Sequence, residues 1–295
     1  MKRKFTFLVF SLCFVSLAGA GMRTDLQEDN LRGSVRSVRI ETAQFSNQSG
    51  QWVEAPREVS ASVLYDVRGN RTEMAGSIFV SKTIYTYDAQ GHKTEEVLYN
   101  ASGSLSSRIV YTYDAQGKRI QTLSSSLRRF GSDLNKTIYT YDDKGRLIEE
   151  VTTASYGILG KTVYTYNDQG NLAEEAVYGP SGLKSQSFHT YDDQGRRLET
   201  TNEDAHGPAL GIEKVVTTYD TTGNITEMTT YHTEKIGDEE DRPIPPPNKV
   251  VYTYEFDVHG NWVKQTETNC YTATSGQSTC EPFRVTYRSI DYYSD

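Results

Sequence analysis

The chain has 295 residues, of which 36% are hydrophobic and 21 are tyrosine, and it carries a formal net charge of −8. Counting the 23 glycines in place of the tyrosines leaves an apolar share of about 37%, against roughly 45–50% in ordinary globular domains. One thick apolar core is therefore excluded, and the acidic balance, which repels phosphate backbones, excludes nucleic acid as an expected partner.

Residues 1–20 read as a secretory signal peptide. Lys2, Arg3 and Lys4 give a basic start, an apolar run follows, and Ala18-Gly19-Ala20 supplies a small-x-small cleavage site. The run is short for a bilayer span, and no second apolar run long enough to cross a membrane follows it. Cleavage removes three cations and no acid, which moves the net charge from −8 to −11. The expectation is a secreted or periplasmic protein with no transmembrane anchor after cleavage. Residues 21–32 read as a polar, flexible leader, and 33–295 as one repeat domain. Within it "GSVRSVRIETAQF" (33–45) and "REVSASVLYD" (57–66) alternate like strands around a turn cluster at 46–51.

Eight copies of an aromatic-acid-x-x-Gly unit then follow. Their acid and glycine pairs are Asp66 and Gly69, Asp88 and Gly91, Asp114 and Gly117, Asp142 and Gly145, Asn167 and Gly170, Asp192 and Gly195, Asp220 and Gly223, and Asp257 and Gly260. Successive copies stand 22, 26, 28, 25, 25, 28 and 37 residues apart. Segments such as "KTIYTYD" and "KTVYTYN" have strand composition. An acid three residues before a glycine suits a type I turn, whose glycine takes a positive φ as a bulge. Each unit is thus expected to be a β-hairpin, and the fold all-β: a repeat array of antiparallel hairpins forming one long twisted or curled meander sheet. Looser connections at 100–107 and 179–186 are expected to join the hairpins.

Counting outward from the turn places Tyr87 opposite Lys93, Tyr113 opposite Arg119, Tyr141 opposite Leu147, Tyr166 opposite Leu172 and Phe256 opposite Trp262. The same count continues to Tyr85 with Glu95, Tyr139 with Glu149 and Tyr164 with Glu174, and on the other face to Thr112 with Ile120, Thr140 with Ile148 and Thr190 with Leu198. One face is then an aromatic ladder of Tyr85, Tyr87, Tyr111, Tyr113, Tyr139, Tyr141, Tyr164 and Tyr166, with cations and aliphatic stems laid against the rings. This ladder is the candidate ligand-binding surface, since flat rings can stack on sugars. Its competing reading is cross-strand packing that holds the sheet together.

The longest interval carries the acidic, proline-rich insertion 235–248, read as solvated. Cys270 and Cys280 remain after cleavage in an exported chain and are expected to form a disulfide that pins the last hairpin. His92, His189, His206, His232 and His259 are scattered, with no tight ligand spacing for zinc. The paired turn acids Asp142-Asp143 and Asp192-Asp193 suit turn chemistry better than calcium, because the first acid of each pair is used by its own turn. No nucleophile elbow, catalytic Cys–His pattern or phosphate loop is present. No cofactor, metal or catalytic residue is expected, and the chain is read as non-enzymatic.

The units "YDVRGN" (65–70), "YDDKGRL" (141–147) and "FDVHGNW" (256–262) resemble the YD repeat, also called the RHS repeat, of exported bacterial proteins and animal teneurins. The resemblance covers about residues 33–293. In large relatives many such hairpins wind into a hollow shell that can enclose a C-terminal toxin; eight units are too few for a large shell, and no toxin-like segment follows the last. The resemblance implies architecture more than activity. The favoured reading is an exported interaction or structural module that meets an envelope glycan or another protein through its sheet face or an edge strand, with edge-to-edge self-association as a further expectation. The alternative is a subunit or remnant of an RHS-type toxin shell that packs edge to edge with a toxin-bearing partner.

Overall fold

The computed structural model describes residues 23–76, 81–128, 131–205, 210–235, 247–272 and 277–294. A helical turn, α1 (Asp25–Glu28), precedes nineteen strands. They are β1 (Val35–Gln48), β2 (Gln51–Glu54), β3 (Glu58–Tyr65), β4 (Arg71–Ala75), β5 (Lys82–Tyr87), β6 (Lys93–Tyr99), β7 (Leu105–Tyr113), β8 (Arg119–Arg128), β9 (Gly131–Tyr141) and β10 (Leu147–Ala154). The remainder are β11 (Gly157–Tyr166), β12 (Leu172–Gly179), β13 (Gly182–Tyr191), β14 (Arg197–Asp204), β15 (Leu210–Tyr219), β16 (Ile225–Lys235), β17 (Asn248–Phe256), β18 (Trp262–Thr272) and β19 (Ser278–Tyr292). The sheet is antiparallel throughout, and sequential strands are neighbours.

The meander does not stay open. β1 pairs with β3 on one side and with β19 on the other, matching Val38 to both Val63 and Ile290. β1 and β3–β19 thus form a closed 18-strand barrel, while β2 pairs with the far half of β1 as a projecting ribbon. Closure satisfies the ladder edges that an open sheet would expose. The edge strand through which self-association was expected is therefore already paired.

Each of the eight units turns as its residues dictate. In the third, Gly117 N–H donates to the Asp114 carbonyl at 3.0 Å, Asp114 N–H donates to the Lys118 carbonyl at 2.9 Å, and Gly117 sits at φ 78°. The acid side chain fastens the reversal: Asp142 Oδ1 accepts from Lys144 N–H at 3.0 Å and Arg146 N–H at 2.8 Å. The Asn100–Ser104 segment, expected as a looser connection, makes the same tight turn at the opposite end of the barrel. At 179–182, Gly179 pairs directly with Gly182.

The pairs next to each turn are Tyr87 with Lys93, Tyr113 with Arg119, Tyr141 with Leu147, Tyr166 with Leu172 and Phe256 with Trp262, as the spacing anticipates. The next pairs correct the expectation. Tyr85 meets Glu96 rather than Glu95, Tyr139 meets Glu150 rather than Glu149, and Tyr164 meets Glu175 rather than Glu174. On the other face Thr112 meets Gln121, Thr140 meets Glu149 and Thr190 meets Glu199. The cause is a β-bulge at the second position of every returning strand, such as Thr94, Ile120 or Ile148, where two residues oppose one. A bulge bends its strand and increases local twist. Eight repeated at one level are a physical reason for the sheet to curl far enough to close.

The two faces differ in enclosure. Thr86, Thr112, Thr140, Thr165, Thr190, Thr218 and Thr253 are exposed, whereas the tyrosines flanking them are half-buried. The tyrosine face also carries the barrel's apolar cluster, in which Leu31, Val35, Val38, Val63 and Tyr65 pack together with Leu26 and Met74 at its margin. It is the inner face. Leu26 and Leu31 belong to the segment read as a flexible leader. In its described part that segment carries α1, closed by a Thr24–Gln27 capping box, and it is tied across the turn end of the barrel. Asp25, 7% exposed, accepts from Arg71 N–H at 2.8 Å, and Asp29 pairs with the Arg71 guanidinium at 2.6 Å. The signal segment 1–20 and most of the insertion 235–248 lie outside the described residues.

Candidate functional site

The aromatic ladder resolves into two rows with different work. The row nearest the turns is spent on the wall. Tyr87 donates its hydroxyl to the Arg71 carbonyl at 2.8 Å, Tyr113 to Lys93 at 2.7 Å, Tyr141 to Arg119 at 2.8 Å and Tyr166 to Leu147 at 2.7 Å. Tyr191 and Tyr219 continue the series onto Leu172 and Arg197 at 2.8 and 2.7 Å, and in the last unit, where Phe256 has no hydroxyl, Tyr254 two residues earlier bonds the Ile225 carbonyl at 2.8 Å. Every acceptor is the first residue of the preceding hairpin's returning strand, so each tyrosine latches its own hairpin to the one before. Tyr293 ends the series by donating to the Tyr65 carbonyl at 2.6 Å, which joins the last segment to the first unit across the closure. Burial raises the phenols of Tyr141 and Tyr166 to about 12.

The second row, Tyr85, Tyr111, Tyr139 and Tyr164, lies deeper along the inner face, and the bulge brings carboxylates beside it. Glu96, Glu150 and Glu175 point inward while their neighbours Glu95, Glu149 and Glu174 point outward. Burial pushes the Glu150 and Glu175 carboxyls up, with the nearby Arg119 guanidinium pulling Glu150 back and Arg197 pulling Glu175 back. Arg119 lies 4.6 Å from the Tyr111 ring centre and 5.9 Å from that of Tyr139, and its buried Nε has no hydrogen-bond partner. Lys93 lies 4.9 Å from Tyr85. The inner wall is thus a band of phenol rings, carboxylates and guanidinium groups that can stack on a flat polar ligand and hydrogen-bond to it.

The outer wall carries ion pairs part-way along the strands. Arg108 pairs with Glu95, Lys161 with Glu149 at 3.4 Å, Lys214 with Glu199 at 2.7 Å and Lys249 with Glu227 at 2.6 Å. Each joins a returning strand to the outgoing strand of the next hairpin. The acid doublets of the repeat therefore serve both faces at once.

The histidines are dispersed. His92 stacks on Tyr113 at 4.8 Å and meets Asp88 at 2.7 Å, His259 packs on Tyr292 at 4.1 Å, and His232 stands 3.9 Å from Glu213. His189 replaces a second-row tyrosine, and burial lowers its pKa to about 4. His206 lies outside the described residues. Among the described residues, no three His, Cys, Asp or Glu side chains converge as metal ligands. Cys270 and Cys280 are register partners on β18 and β19 and form a disulfide.

Sequence reasoning missed a cluster near the turn end of the last hairpins. Arg288, on the inner face of β19, sits 3.5 Å from the Trp262 ring centre. Its Nε is buried without a hydrogen-bond partner, and burial pushes its pKa down to about 10. Trp262, Phe256 and the leader residues Asn30 and Arg32 border a cavity of about 150 Å³ there. The signal that could have found it is the one departure from Tyr in the repeat: Phe256, opposite Trp262.

No family model matches the chain, and none of the curated proteins does. Among solved structures, a porin-like protein from Bacteroides uniformis ATCC 8492 is similar over 86% of this chain and 96% of its own, at 13% identity and a TM-score of 0.41. TcdB2-TccC3 is similar over 76% of this chain at 13% identity and a TM-score of 0.28, and its form without the hypervariable C-terminal region over 82% at 13% and 0.25. This chain spans 16% and 17% of those two structures. Likenesses this loose carry no argument about function. Among the described residues, no helix is long and apolar enough to cross a membrane. The disulfide is of a kind that persists in oxidising compartments.

Proposed function

We propose that this chain is an exported, non-enzymatic barrel that stands in water and serves as an interaction module for an envelope glycan. The observation that carries the reading is the division of labour between its faces. A lipid-facing wall would place the Lys161–Glu149, Lys214–Glu199 and Lys249–Glu227 pairs against hydrocarbon, and a cation at the bilayer midplane costs about 2–4 kcal/mol. The outer wall instead suits solvent. The inner wall supports glycan binding because Tyr111 and Tyr139, unlike the latching tyrosines, present rings beside Arg119 and Glu150 with carboxylate and guanidinium groups able to bond hydroxyls.

The test is a glycan array on the purified, signal-free chain kept without detergent, with Tyr111→Ala and Tyr139→Ala beside it. Saturable glycan binding weakened by both substitutions supports the reading. Binding only to a protein partner, or a protein that needs detergent to stay monomeric, overturns it.

A further inference from the structure

We propose that the cavity between the leader segment and the last two hairpins is a subsite for one acidic pyranose of the uronic-acid type. This deepens the glycan reading above and rests on it. The cavity, about 150 Å³, is of the size of a single sugar ring. Its lining combines two groups of opposite chemistry. Phe256, 46% exposed, and Trp262 offer aromatic surface to the apolar side of a pyranose. Asn30 and the Asn224 amide oxygen offer polar groups to its hydroxyls, the Asn224 amide protons and the Thr222 hydroxyl being held within the Asp220 turn, and Arg32 offers a guanidinium to a carboxylate.

The site is built rather than incidental. The Arg32 backbone is clamped to Asn261 twice, its N–H donating to Oδ1 at 2.7 Å and its carbonyl accepting from Nδ2 at 2.8 Å. Asn261 is 2% exposed, and it also donates to the Tyr292 hydroxyl at 2.7 Å. Gly260, at a φ of 80° that favours glycine, lies against Arg32, and an added side-chain carbon there would stand 2.9 Å from Nη1 and push the guanidinium aside. Among the described residues Arg32 makes no ion pair, whereas Arg71, Arg146, Arg196 and Arg284 each hold a carboxylate. Arg288 makes no ion pair among the described residues and lies over Trp262, which fixes the indole. A cation without a carboxylate partner at an aromatic cavity, in a chain of net charge −8, favours an anionic ligand over a neutral one.

The chain's two tryptophans, Trp52 and Trp262, make the test direct. In a Trp52→Phe background Trp262 is the sole indole, and its fluorescence is followed while D-glucuronate or D-glucose is added. The expected result is a saturable response to glucuronate, about tenfold weaker for glucose. Arg32→Gln should abolish that preference while leaving the glucose response, since its backbone bonds to Asn261 survive. Phe256→Ala, at an exposed position, should weaken both sugars alike. A silent Trp262, or a glucuronate preference unmoved by Arg32→Gln, overturns the subsite. If Trp262 is silent but the same samples bind glycans on the array, the subsite fails and the broader reading stands; silence in both removes both.

Discussion

Deleting a single hydroxyl tests the latch. In Tyr141→Phe the ring stays and the bond to the Arg119 carbonyl at 2.8 Å is lost. A typical intramolecular hydrogen bond contributes about 0.5–1.5 kcal/mol net, and a buried acceptor left without a partner raises the loss towards about 1–3 kcal/mol. The Tyr141 hydroxyl is half-enclosed, so the expected loss is about 1–2 kcal/mol. In a domain of this size each kcal/mol lowers Tm by about 2–4 °C, which gives a drop of about 2–8 °C. The control is Tyr156→Phe at a residue 82% exposed, expected to leave Tm unchanged. Thermal unfolding followed by circular dichroism reads both. Tyr141 and Tyr219 bond carbonyls six strands apart in the sheet, those of Arg119 and Arg197, so the losses of Tyr141→Phe and Tyr219→Phe should add. A Tyr141→Phe protein as stable as the Tyr156→Phe control would refute the latch and return the motif tyrosine to the status of an available binding ring.

Tyr141, Tyr166 and Tyr252 are held at about 12 by burial against an ordinary phenol value of 10.0, so the folded state binds their protons more tightly; their contribution is complete below pH 10 and is lost as pH rises through 10 to 12, where ultraviolet phenolate absorbance should climb together with unfolding. At the acid end, Asp220 is lowered to about 2 from 3.8, with desolvation opposed and outweighed by bonds from Asn224 and Thr222, so its contribution is present above pH 3.8 and is lost as pH falls towards 2; Asp220→Asn should flatten the denaturation midpoint across that window. Gly117→Ala should cost more than Gly91→Ala in urea unfolding. Both carry the positive-φ penalty of about 1–2 kcal/mol, but only at Gly117 does the new carbon meet a neighbour, His92 Nε2 at 2.6 Å. Equal losses would show that His92 yields freely.

How far the architecture could be read from the residues depended on how local its cause was. Asp142, Gly145 and their counterparts specify their turns through atoms four residues apart, and the hairpins were legible for that reason. The bulge was not, because counting outward from a turn assumes one residue opposite one. The missed hint is the acid doublet: Glu95 and Glu96 cannot share a face, and a doublet recurring at one distance from the turn marks a point where each face receives an acid. Closure was less legible still. It depends on curvature accumulated over seventeen strand pairings before β1 meets β19, and no short segment encodes it. The leader was misjudged on composition: Asp25 and Asp29 look solvated in sequence, but they are the anchors that bind Arg71, Tyr65 and Tyr87. The cavity at Trp262 joins residues 30–32 to residues 222–262, a contact that exists only once the ring has closed.

One chain closes its own ring through β1 and β19. Thr42 and Thr286 are register partners there, and a Thr42→Cys/Thr286→Cys variant oxidised in solution reports on the pairing by peptide mapping and intact mass. A quantitative cross-link within a monomer is the expected result. A cross-link found only between two chains, or none at all in a folded protein, would contradict it.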